Sequence, residues 1–478
     1  MKEHPKISVA GRTGSREGFR SPWLWGLGAV CLVLILLGRF LHSREGGSEA
    51  NLEAAREALR ALQRAHSGET GLTARPFPAA AAQTTPTAAE IVAGKVAAFA
   101  RSRRDLIRAR ARRLKIEVPA EFESFLEAVE TRPFDEVKDL FQSMQERRKT
   151  EPTPPERNLL WPPISETFGV ADTAHDWPAQ ALLDYGQAVL GSLRPGMVYV
   201  GGTDPGRYIP TLLNETSEGD HHVILTQNAL ADLTYLDYIG YLHGDEIAPL
   251  TGEDSTKAFQ DYMQDARKRF DHDQQFPDEP KQLRPREDVQ VVDNRIQVSG
   301  QVAVMSINDR LLQALRQKNP DTPFALEESF SLASTYVGAA PLGPILELGG
   351  ENSQATLTPG AAAESLSYWR ETVQRLAVDP ETATHADARK AYAQMATAQA
   401  NLFASRNYVS EAEQAYRLAS ECSPSFLEPV GQLSKLLGQT GRAAEAHQLL
   451  ETFARNHDAQ RPDVDALRAT LIADSPGR

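Results

Sequence analysis

The apolar positions of this chain change rhythm several times, and each rhythm predicts a different element. The first is an unbroken run. Residues 21–38, SPWLWGLGAVCLVLILLG, carry no charge, and Phe40 and Leu41 prolong the apolar face past Arg39. A run of that length reaches the lower limit for a helix that crosses a bilayer. Trp23 and Trp25 stand at one end, where indoles favour the headgroup layer. Residues 23–41 are therefore expected to form a transmembrane anchor. The next rhythm is helical. Leu52, Ala55, Leu59 and Leu62 recur at helical spacing over 48–67, and the pattern resumes over 91–115, 121–131 and 134–148. Between them TARPFPAAAAQTTPTAAE, rich in Ala, Thr and Pro, reads as a linker over 67–88. Residues 48–150 thus make a helical region, closed by the proline-rich TEPTPPERNLLWPP.

From 160 to 355 short apolar runs alternate with amphipathic ones. Residues 197–200 and 223–226 suit buried strands, and helical patterns follow them at 205–213 and 230–242. Asp254 or Ser255 is placed to cap a further helix with Ala258, Phe259, Tyr262, Met263 and Ala266 on one face. VQVVDNRIQV reads as a hairpin turning at Asp293–Asn294, a helix follows over 302–317, and PFALEESF and GPILELGG supply more strands. This alternation predicts an α/β domain with a partly parallel sheet and flanking helices.

Residues 360–478 read as helix throughout, and the pattern repeats. Ala412, Tyr416, Ala419 and Pro424 give a small, aromatic, small and proline spacing; Ala446 follows Ala412, and Gly441–Arg442 follow Asn407–Tyr408, at the same offset. This register resembles the second helix of tetratricopeptide repeats. The second copy departs from it, with Leu450 and Phe453 at the aromatic and small positions and no proline. The resemblance implies helical hairpins that dock a protein partner.

Composition and charge narrow the function. A net charge of −13 excludes a general nucleic-acid binder, which needs a positive field. Cys31 and Cys422 lie too far apart in sequence and setting to imply a disulfide framework or a thiolate metal site. Lys2, Lys6, Arg12, Arg16 and Arg20 precede the apolar run, whereas only Arg39 and Arg44 follow it closely. The positive-inside rule then makes 1–22 a cytoplasmic basic tail. The expected placement is a single pass through the inner, cytoplasmic membrane with the bulk extracytoplasmic. The basic stretch RSRRDLIRARARRLK reads as a solvated helix face in preference to a lipid or glycan contact.

Candidate chemistry centres on MVYVGGTDPGRYIPTLL. Gly201 and Gly206 have P-loop separation, but Arg207 replaces the lysine, Tyr208 replaces the metal-binding hydroxyl, and Pro205 removes an N–H. A nucleoside triphosphatase is therefore disfavoured. What remains is a helix N-terminus after a strand, capped by Thr203 or Asp204, where Gly201, Gly202, Thr203, Asp204, Arg207 and Asn228 could hold an anion. The plainer alternative is a cap and an internal ion pair. His221, His222 and the His243–Asp245–Glu246 group are weak metal or acid–base candidates, and Asp204, Asp232 and Asp237 stay open as carboxylates. No catalytic residue, metal site or cofactor is assigned.

RPGMVYVGGTDPGRYIPTLL, HHVILTQNALADLTYLDYI, NPDTPFALEESF and GPILELGG together resemble the soluble C-terminal domain of bacterial membrane proteins similar to protein O-mannosyltransferases. Gly202, Asp204 and Asn228 fall at the corresponding places. The many-helix membrane portion of that family is absent here, so the resemblance implies an accessory domain for a glycan or partner, without glycosyl transfer. The leading expectation is a membrane-anchored, extracytoplasmic binding or scaffold protein. The alternative is an envelope enzyme or enzyme subunit acting on a glycan or phosphorylated sugar through 201–207.

Overall fold

The computed structural model describes residues 86–151, 155–219, 221–284, 287–292, 295–330, 333–349 and 356–473. The expected tail 1–22, anchor 23–41, helix 48–67 and most of linker 67–88 lie outside them. Among the described residues no helix is long and apolar enough to cross a membrane. The membrane and signal-anchor assignments are corrected to that extent: no described residue supports them. The longest described helix, Ala88–Leu114, sets arginines and apolar residues side by side along its length.

The described chain is mostly helical. It opens with α1 (Ala88–Leu114), α2 (Ala120–Thr131), α3 (Phe134–Thr150), α4 (Trp161–Asp176) and α5 (Ala179–Leu190). The start of α1 is set locally. Thr87 Oγ1 accepts from Glu90 N at 3.2 Å and Glu90 returns a bond to Thr87 N at 2.8 Å, a capping box. No helix was expected at α4 or α5. Pro162 and Pro163 read as the end of a proline-rich boundary, yet they lie in the first turn of α4, and Pro178 stands just before α5, positions where proline loses no bond.

Next come β1 (Val198–Gly201), α6 (Asp204–Glu215), β2 (Val223–Thr226), α7 (Leu233–His243) and α8 (Gly252–Gln275). The hairpin β3 (Asp288–Val292) and β4 (Arg295–Ser299) leads to α9 (Gly300–Lys318), then β5 (Phe324–Leu326), β6 (Ala339–Leu342) and β7 (Ile345–Leu348). The main sheet runs β2-β1-β5-β7-β6. β1 is parallel to both β2 and β5, whereas β5–β7 and β7–β6 are antiparallel. The sheet is thus partly parallel, with helices packed against it. β1 is buried at every position, as a strand covered on both faces must be. The cap of α8 is Thr251, three residues before the expected Asp254, which instead supplies the returning bond of a capping box.

Two arginines of the basic stretch overturn the reading of a solvated face. Arg103 and Arg110 are buried, at 2% and 1% exposure. Arg103 binds Glu166 at 2.7 Å and Glu215 at 3.1 Å; Arg110 pairs with Asp237. Burial pulls against the Arg103 charge, but Glu166 and Glu215 hold its pKa well above the usual value. Helix α1 therefore ties α4, α6 and α7 together through charge, and Arg101, Arg108, Arg112 and Arg113 are its exposed basic positions.

The last part is a series of hairpins: α10 (Pro359–Val378), the short α11 (Pro380–Thr384), α12 (Ala386–Ser405), α13 (Val409–Cys422), α14 (Leu427–Gln439), α15 (Ala443–Asn456) and α16 (Arg461–Ala473). Asn407 and Gly441 both have positive φ, 62° and 80°, at corresponding turns. Ala412, Ala419 and Ala446 are buried where the helices meet, and Cys422 is a buried core residue. Ala412→Arg is expected to destabilise the full chain by about 3 kcal/mol or more, because it overpacks the contact and buries a charge. An unchanged melting temperature in a thermal scan would contradict this placement.

The described residues form one compact unit. Its main apolar cluster runs from Val92 through the sheet to Ala446. A polar pin joins hairpins to sheet. Gln399 of α12 is fully buried, donates to Gly343 O and Ile345 O at 2.8 and 2.9 Å, and accepts from Trp369 Nε1 and Ser365 Oγ at 2.9 and 2.5 Å.

Candidate functional site

In open α/β sheets ligands bind beyond the carboxyl ends of the strands, where the chain order reverses. Here that point lies between β1 and β5, whose neighbours β2 and β7 continue in opposite directions along the sheet. The loop 201–207 stands there, between β1 and α6. Thr203 is the N-cap: its Oγ1 accepts from Gly206 N at 3.0 Å. Asp204 is the first helical residue and does not cap.

The place an external anion would take is already filled. Glu327, the residue after β5, puts Oε2 against Gly202 N and Thr203 N at 2.9 and 2.8 Å. Its Oε1 accepts from Thr203 Oγ1 at 2.5 Å and from the Tyr185 hydroxyl at 3.2 Å. Glu327 is 1% exposed. Burial raises its carboxyl above the usual value, while the donors on Thr203, Gly202 and Tyr185 favour the charged form. All four contacts are donors aimed at carboxylate oxygens, the geometry of an ionised acid at a helix N-terminus. Two glycines make the approach feasible. A Cβ on Gly206 would strike the Glu327 carboxylate, and one on Gly202 would strike the backbone of Glu327 and Ser329.

The other expected residues surround the same loop. Arg207 binds Asp204 Oδ1 at 2.5 Å and Asn228 Oδ1 at 3.1 Å, and its guanidinium lies 4.3 Å from the centre of the Tyr208 ring. Its Nε is buried without a hydrogen-bond partner. The structure therefore brings Gly202, Thr203, Asp204, Arg207 and Asn228 into one neighbourhood, with Gly201 packed against Gly206 and Arg207. The backbone donors of Gly202 and Thr203 are taken by Glu327, and the largely buried Arg207 side chain is held by Asp204 and Asn228. Asp204→Ala should consequently cost about 1 kcal/mol, as loss of an ion pair whose carboxylate is half-exposed and whose arginine keeps Asn228 does, whereas Thr203→Ala should cost about 2 kcal/mol or more, losing a cap and a bond to a charge. Urea unfolding of the two variants reads the difference, and the reverse order would refute it.

Of the remaining candidates, Asp232, Asp237 and His243 are engaged by neighbouring groups. Asp232 caps α7 through Thr234 N at 2.8 Å, and Asp237 serves Arg110. His243 Nδ1 meets Glu246 at 2.9 Å. Among the described residues no cluster of His, Cys, Asp or Glu could hold a metal ion. The sequence reading missed Glu327 and Tyr185. The available signal was Glu327–Glu328 directly after the apolar strand Phe324–Leu326, an acid where a parallel strand ends inside the core.

Compared with protein-family models, curated proteins and solved structures, the chain matches none of them. The hairpins and the sheet therefore stand as architecture alone. The tetratricopeptide assignment is withdrawn, because no family model matches, and the likeness to protein O-mannosyltransferase-like proteins gains nothing from these comparisons.

Proposed function

We propose that this chain is a binding protein, in which the C-terminal hairpins dock a partner protein and the α/β part is their rigid base. The observation that carries this reading is Glu327. A loop with the outline of a phosphate site has its inward donors satisfied by the chain's own buried carboxylate. An external phosphate would have to displace a charge-assisted set of bonds. Gln399 supports the second half of the reading, since it clamps α12 to the β6–β7 turn.

One observation favours a second reading, an enzyme or enzyme subunit acting on a glycan or phosphorylated sugar. Arg207 keeps a buried Nε without a partner beside Asn228. Calorimetry separates the two. The binding-protein reading expects no heat from inorganic phosphate or glucuronic acid at millimolar concentration. Binding that Arg207→Ala weakens by about 1–3 kcal/mol, the range of a charge-assisted bond, would establish the second reading instead. Partner docking is tested by in-cell cross-linking through Lys390 and Lys435, which lie on the hairpins. Cross-links to other proteins confined to the α/β part would overturn it.

A further inference from the structure

The carbonyl of Gly206 lacks its ordinary helical partner. It lies one helical turn before Pro210, which has no N–H to offer and whose ring crowds it. The Tyr199 hydroxyl donates to it instead, at 2.6 Å, from a fully buried position on β1. Tyr199 and Gly201 lie on one face of that strand. Gly201 makes the approach possible, since a Cβ there would come within 2.5 Å of the Gly206 carbonyl oxygen. The gap that proline opens in the helix ladder is thus closed from the sheet by a single side chain.

The packing of α6 changes at the same place. Past the gap the helix is pressed onto its neighbours. The Tyr208 ring fills the space where Gly169 of α4 would carry a Cβ, and Leu213 and Ile209 close on Gly186 of α5. Before the gap, Asp204 and Pro205 are only half-buried. There the chain is held inward by Glu327, through Gly202 N, Thr203 N and the Thr203 hydroxyl.

We propose that residues 202–206 are a flap over Glu327, hinged at Gly206–Arg207 and latched by the Tyr199 hydroxyl. Opening lifts three donors off the carboxylate together and lets water reach it, while the sheet and the packed part of α6 stay folded. Local openings of this kind are drawn from segments with few buried contacts. The device stands whether or not the hairpins dock a partner.

Amide exchange of the full chain, read residue by residue, tests it. Gly202, Thr203, Gly206 and Arg207 each have a bonded N–H in the closed state, so their exchange reports opening. Tyr199→Phe keeps the ring and removes the latch. These four amides should then exchange about tenfold faster, the upper range for one lost hydrogen bond, with β2 and α5 at parental rates. Pro210→Ala returns an N–H to the ladder and should slow the same four amides. Added to Tyr199→Phe, it should bring them back toward the parental rate. Unchanged exchange in Tyr199→Phe, or acceleration spread equally over β2 and α5, would overturn the flap. Failure of Pro210→Ala to reverse a local acceleration would overturn the latch. If Tyr199→Phe does not fold, Pro210→Ala alone decides: slower exchange confined to the four amides supports the hinge, and unchanged exchange refutes it.

Discussion

Glu327→Ala is expected to destabilise the folded chain by about 3–5 kcal/mol, the cost of removing one side of a buried, charge-assisted set. The truncation leaves Gly202 N, Thr203 N and the Thr203 hydroxyl facing an empty, desolvated space. Formate or acetate at tens of millimolar should restore part of the loss, because a small carboxylate can enter the vacated cradle. Thermal scans with and without formate measure both effects. A variant that melts with the parental chain would show that the four bonds carry no net stability. The pH dependence has a definite sign. Burial raises the folded Glu327 carboxyl above its unfolded value. Its contribution to stability is therefore fully present below the unfolded value and falls as pH rises through the window up to the folded one. Glu327→Gln, which does not titrate, should remove that component from the stability–pH curve.

Gln399→Leu should cost a similar amount, about 3–5 kcal/mol, since it leaves buried polar groups without partners. Gly343 O, Ile345 O, Trp369 Nε1 and Ser365 Oγ all depend on this one amide. Leucine nearly matches its volume, so the loss would come from unmade bonds and not from a cavity. The bonds join α12 to the β6–β7 turn and to α10, so the unfolding curve should also change form. A single transition in the parental chain should separate into two, the hairpins loosening before the sheet. Trp369 fluorescence follows the first and far-ultraviolet circular dichroism the sum. Coincident transitions and an unchanged midpoint would refute the role assigned to Gln399.

Much of the fold was legible locally. The apolar runs of β1 and β2 and the periodicity of α8 are properties of neighbouring residues. Hydrophobic periodicity reads such neighbours directly. The helices α4 and α5 were lost because proline signals a break in most contexts and a helix start in a few. The loop 201–207 was legible as a strand-to-helix corner with close backbone approaches. Its occupant was not.

By itself the sequence determined most of the helical and strand segments, the glycine-bearing corner at 201–206 and the recurring small residues of the C-terminal hairpins, because each is written in residues a few positions apart. Tertiary structure alone decided which charges are inside. Arg103 and Arg110 look like any other arginines of α1 until Glu166, Glu215 and Asp237 arrive from other elements. Glu327 reaches Gly202 from 125 positions away. The burial of a charge depends on its partners, and sheet order, not local pattern, brings partners that distant together.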